Sequence, residues 1–191
     1  MPKKTVILVG LLTLSLAVLL ASAASAQENM EIGNEYIKIV VNGGELNGGR
    51  FSVGTTGGDP GRESDDNKAL IYGGDDPWTS YTTVRVDNQN WIYGNPTDRR
   101  AGFDGLYGEL VQPPTLVDGK IESSWRLGPV QVWQVLSITR SSTTGLMDTA
   151  QIEYHVENLD TESHMVGLRL MLDTMLGAND GAPFRVEDRA L

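Results

Sequence analysis

Cysteine is absent from all 191 residues. That removes disulfides, thiolate nucleophiles and cysteine-ligated metal centres from consideration. Histidine occurs only as His155 and His164, too few for a multi-histidine metal centre. Positive charge is scarce: 15 lysines and arginines stand against 25 aspartates and glutamates, a formal net charge of −10. Such a chain repels polyanions, which excludes nucleic acid and anionic membrane surfaces as partners. Common catalytic signatures are missing too. There is no G-x-S-x-G elbow, no H-E-x-x-H helix and no glycine-rich phosphate loop closed by Lys-Ser or Lys-Thr. Past residue 26, no stretch of useful length carries a helical apolar period. These absences leave enzymatic activity undecided and tilt the expectation towards a protein without one.

The first thing present is an address. Lys3 and Lys4 precede an apolar run from Thr5 to Leu20, and Ala24-Ser25-Ala26 gives a small-x-small site before Gln27. This is the pattern of a secretory signal peptide cleaved after Ala26, since the run falls short of the roughly 20 residues that span a bilayer. The expected product is secreted or held at the cell surface, with no membrane insertion of the mature chain. Residues 27–191 then comprise 165 residues with 13 basic and 25 acidic side chains, a net charge of −12. That length suits a single domain with its own core. Without disulfides, the domain relies on that core, on metal ions or on neighbouring subunits.

Twenty-two glycines and eight prolines point to many strands and turns. Short strands are expected at 35–41, 50–54, 69–72 and 80–86, with Trp91-Ile92-Tyr93 as hairpin partner of the last. Residues 95–114 show no clean period and read as a loop closed by Pro113-Pro114. From Lys120 the pattern sharpens. Ile121, Ser123, Trp125 and Leu127 alternate with polar residues, and Gly128-Pro129 turns the chain into Val130, Val132, Leu136 and Ile138, with Gln134 the polar exception. A two-residue turn sets Leu127 opposite Val130, Trp125 opposite Val132 and Ile121 opposite Leu136. Ala150, Ile152, Tyr154 and Val156 continue the alternation, as do Val166, Leu168, Leu170 and Leu172. With Asp160-Thr161-Glu162 as a turn, these two strands pair as a hairpin. Val156 faces Val166, Tyr154 faces Leu168, Ile152 faces Leu170 and Glu153 faces Arg169. The expectation is an all-β, antiparallel β-sandwich: a four-stranded meander over about 120–175, covered by the shorter N-terminal strands.

Three groups of residues are candidates for a site. Trp78, Tyr81, Trp91 and Tyr93 lie close in sequence and suit an aromatic platform for sugar rings, although some of them are equally suited to the core. Asp173, Asn179 and Asp180 offer hard oxygen ligands on a glycine-rich turn, which suits Ca²⁺. The alternative is an Asx turn at Asn179-Asp180-Gly181 that binds nothing. Asp59, Asp65, Asp66, Asp75 and Asp76 form a second acidic set on neighbouring loops, either a weak cation site or a solubilising surface. The two histidines would project from opposite faces of the hairpin, a poor arrangement for one metal.

The runs Gly49-Arg50-Phe51-Ser52-Val53-Gly54-Thr55-Thr56-Gly57-Gly58, Trp78-Thr79-Ser80-Tyr81-Thr82-Thr83-Val84-Arg85-Val86 and Asp173-Thr174-Met175-Leu176-Gly177-Ala178-Asn179-Asp180-Gly181-Ala182-Pro183-Phe184 resemble segments of secreted bacterial surface proteins of poorly known function. More loosely, they are similar to the large sandwich of galactose-mutarotase-like carbohydrate-active proteins. The resemblance implies a β-sandwich, carries no catalytic motif, and implies a domain that continues past the last strand, so the chain is either a whole protein or a fragment of a longer one. Two functions follow as expectations. One is a secreted, non-catalytic module that binds or assembles at the cell surface, with another surface protein as partner. The other is a carbohydrate-active domain that binds or processes a glycan.

Overall fold

The computed structural model describes residues 28–181. The signal peptide, its cleavage point after Ala26, and Ala182-Pro183-Phe184 of the third resembling run lie outside the described residues. The strands are β1 (Met30–Gly33), β2 (Ile37–Val41), β3 (Phe51–Thr55), β4 (Tyr81–Val86), β5 (Gln89–Ile92), β6 (Leu106–Tyr107), β7 (Glu109–Val117), β8 (Lys120–Leu127), β9 (Val130–Thr139), β10 (Thr149–Asn158) and β11 (Val166–Met171). The only helical element among the described residues is a 3-10 turn at Glu63–Asp65. No helix among them is long and apolar enough to cross a membrane.

The strands form an all-β sandwich. Its floor is one antiparallel sheet in the order β10-β9-β8-β7. Two smaller sheets cover it: β1-β2-β3, and β11-β4-β5-β6, in which only the short β5–β6 pair is parallel. Alternation explains the floor. Leu127 pairs with Val130, Trp125 with Val132 and Ile121 with Leu136, the register expected from the two-residue turn, and all six residues are buried. The central strands β8 and β9 each contribute to two apolar clusters. Ile121 and Leu136 pack with Ile39, Val41, Phe51 and Val53 of the first cover sheet. Trp125, Leu127, Val130 and Val132 pack with Val84, Val86 and Tyr93 of the second.

A polar belt crosses the interior. Tyr93 Oη donates to the Ser123 carbonyl at 2.8 Å and lies 2.9 Å from Ser123 Oγ. Gln134 Nε2 donates to Tyr154 Oη at 2.8 Å, and that hydroxyl also bonds Thr82 Oγ1 of the opposite sheet. Tyr154 is therefore the floor residue that reaches Thr82 of the cover, while the Oε1 of its partner Gln134 is buried without a hydrogen-bond partner among the described residues. Burial pushes the Tyr93 and Tyr154 phenols above their ordinary pKa.

Three expectations need correction. Residues 109–117 form a strand, and Pro113-Pro114 lie inside it. Prolines have no N–H for a ladder, and β7 tolerates them because it is an edge strand with register shifts between Leu110 and Thr115. The meander therefore runs over β7–β10, and the segment expected as its fourth strand leaves it. β11 does not pair with β10. Val166 pairs with Val86, Leu168 with Val84 and Leu170 with Thr82, all in the cover sheet. Glu153 faces Val135 and Arg169 faces Thr83, so the expected ion pair is split between the two layers. The brief strand expected at 69–72 is reduced to isolated bridges, Ala69 with Gly54 and Ile71 with Thr174.

Candidate functional site

The four aromatic candidates do not share one surface. Tyr93 is 1% exposed and belongs to the core, its ring 4.7 Å from that of Trp125. Trp91 packs beside the same cluster, its Nε1 buried without a hydrogen-bond partner among the described residues. Its outer side, with Tyr107, Glu109 and Arg126, lines an open hollow of about 280 Å³. Tyr81 lies under the Arg50 guanidinium, 5.9 Å from the ring centroid. Trp78 meets Tyr72 edge-on at 6.1 Å and carries Arg99 over its face at 5.0 Å.

The terminal turn shows Asx chemistry, with Asn179 Oδ1 accepting the Gly181 N–H at 3.1 Å. The Asp173 backbone joins the last segment to the sheet. Its N–H donates to Ser80 Oγ at 3.1 Å and its carbonyl accepts the Tyr72 N–H at 2.8 Å. In the second acidic set, Asp75 bonds Lys38 Nζ at 2.7 Å and Asp76 accepts Asn42 Nδ2 at 3.0 Å. Asp65 accepts the Asp59 N–H at 3.3 Å. Among the described residues, no group of three or more His, Asp or Glu side chains is arranged to hold a metal ion.

His155 and His164 differ more than their neighbourhood in sequence suggests. His155 stands exposed on β10. His164 is clasped between two carboxylates, Nδ1 at 2.8 Å from Asp87 and Nε2 at 2.9 Å from Asp160. Its hydrogen bonds to Asp87 and then Asp160 raise the imidazole pKa, and the same bonds lower both carboxyls. Asp87 sits in the β4–β5 turn with φ +52°, and its Oδ1 accepts the Met165 N–H at 2.9 Å. The clasp therefore delivers the chain from β10 across the sandwich to the edge of β4.

The crossing leaves one side of the sandwich open. β10 ends the floor and β11 ends the cover sheet, so each has a free backbone edge among the described residues. Val166 packs on the inner cluster, which turns Leu168 and Leu170 inward as well. Even so, Leu168 is 45% and Leu170 40% exposed, while Val84, beside Leu168, is fully buried. On the floor, Val156 is 41% exposed although its neighbour Val132 is fully buried. Inward-facing apolar side chains thus meet solvent between two unpaired edges. Leu172 and Met165 extend this apolar margin at 43% and 79% exposure. Alternation marked Val156, Leu168, Leu170 and Leu172 as apolar and inward, but it carried no sign that the layers diverge around them.

Comparison of the chain with protein-family models, curated proteins and solved structures gives no significant match.

Proposed function

We propose that this protein is an exported, non-catalytic β-sandwich module that binds or assembles at the cell surface through its open side. The single observation that carries this reading is the exposure of Val156, Leu168 and Leu170, which face inward between the free edges of β10 and β11. Unpaired edges recruit further strands, and contiguous exposed apolar surface marks interaction sites. Export rests on Lys3, Lys4, the apolar run to Leu20 and Ala24-Ser25-Ala26.

The test is retention of the exported protein on its own cells. Replacing Leu168 and Leu170 together by lysine is expected to release it into the medium while its circular dichroism stays unchanged. Retention unaffected by the pair would end this reading. A second reading, glycan binding, draws on Trp91 beside Tyr107, Glu109 and Arg126 at the rim of the hollow. A glycan array separates the two, because saturable binding lost in Trp91→Ala would replace surface assembly with carbohydrate recognition.

A further inference from the structure

The open side has a chemistry that selects its occupant. Val156 presents an apolar surface along the lower edge, and Leu168 and Leu170 face it from the upper one. On the outward face of β10 stand Glu153 and Glu157, two residues to either side of the exposed His155. Outward on β11 the charged residue is Arg169. A strand added beside β10 would turn alternate side chains inward over Val156 and the others outward beside the two glutamates. A strand added beside β11 would meet a cation instead. A second copy of the chain fits poorly, because it brings the same acidic edge and a net charge of −10.

We infer that the free edge of β10 accepts one extended segment of a partner protein in which apolar residues alternate with lysine or arginine. The inference rests on the surface-assembly reading above and names the class of partner. The apolar residues fill the gap between Val156 and the Leu168–Leu170 pair. The basic ones lie between Glu153 and Glu157, and backbone hydrogen bonds to β10 supply the remaining attraction.

Blocked, fluorescein-labelled nonapeptides test it by anisotropy titration against the full chain. One alternates valine with lysine, one alternates valine with glutamate, and one has the first composition with its valines grouped. The valine–lysine peptide is expected to bind at least tenfold tighter than either of the others. Added salt should narrow its advantage over the glutamate peptide. Glu153→Lys with Glu157→Lys, both on the outward face of β10 and the first of them half-exposed, should reverse the charge preference. Hydrogen exchange should slow at alternate amides of β10. Leu168→Asp with Leu170→Asp should abolish binding, and the charge reversal keeps the test decisive should that variant not fold. Equal binding of both alternating peptides, lost in the leucine variant, would overturn the basic partner and leave surface assembly standing. No peptide binding, with a concentration-dependent dimer dispersed by the leucine variant, would put a second copy in the partner's place. No binding by a protein that stays monomeric would overturn both.

Discussion

Arg50 is fully buried, yet among the described residues it forms no ion pair with a carboxylate. Its guanidinium donates to the Asn95 carbonyl at 2.9 Å, the Ala101 carbonyl at 3.2 Å and the Tyr107 hydroxyl at 3.2 Å. Desolvation lowers its pKa, and the fixed oxygens around it offset part of that cost. Asn95 extends the arrangement, with its Oδ1 accepting the Trp125 indole N–H at 3.1 Å and its Nδ2 donating to the Gly44 carbonyl at 2.9 Å. Gly49 passes over the same indole with φ +86°, where an added Cβ would lie 3.0 Å from the ring. Arg50→Met should therefore cost about 3 kcal/mol, because it strands two carbonyls and a hydroxyl without a donor. Arg99→Met, which removes an exposed cation from the face of Trp78, should cost only about 0.5 kcal/mol. Urea midpoints of the two variants check the contrast. Nothing in the run Gly49-Arg50-Phe51 distinguishes a buried arginine from an exposed one, since its partners are carbonyls of residues about 50 positions away.

At the level of strands, the sequence was legible where a turn fixed the partner. Gly128-Pro129 left two residues between Leu127 and Val130, and the register followed. The Asp160-Thr161-Glu162 region misled for a physical reason: period-2 alternation records which face is dry, not which strand lies alongside. Residues 158–165 do turn, with Asn158 Oδ1 accepting the Asp160 N–H at 3.2 Å. The clasp of His164 then sends the chain to the other layer. Its partner Asp87 is 77 positions away, and no local pattern could have paired them. The open side, the best candidate site, follows from that crossing and was invisible for the same reason.

The clasp predicts a pH dependence. The imidazole pKa is raised above 6.5, so its contribution to stability is fully present below that value and lost as pH rises through the raised one. The two carboxyls are lowered below 3.8, so theirs is present above that value and lost as pH falls through the lowered ones. The crossing is therefore held best between about pH 4 and 6.5. The urea midpoint should decline from pH 6 to 8.5 in the native chain, and His164→Gln should flatten that decline. An equal slope in both proteins would show that the clasp contributes nothing to the fold.

Across the whole molecule, the long strands of the floor decide how the parts communicate. β8 places Ile121 in one apolar cluster and Trp125 in the other, and β9 does the same with Leu136 and Val132. Neither cover sheet can lose its packing without uncovering strands on which the other depends. The Tyr93–Ser123 and Tyr154–Thr82 bonds of the polar belt tie the floor to the second cover sheet. Cooperative unfolding of both clusters is the consequence. Ile39→Ala, a truncation at a fully buried site under the first cover sheet, should cost about 3 kcal/mol through the cavity it leaves. Far-ultraviolet circular dichroism reports the strands as a whole. The near-ultraviolet signal includes the Tyr93–Trp125 pair in the opposite cluster. Both midpoints should fall together in Ile39→Ala. A near-ultraviolet midpoint left at its native value would mean that the second cluster holds without the first, and that the shared floor does not couple them.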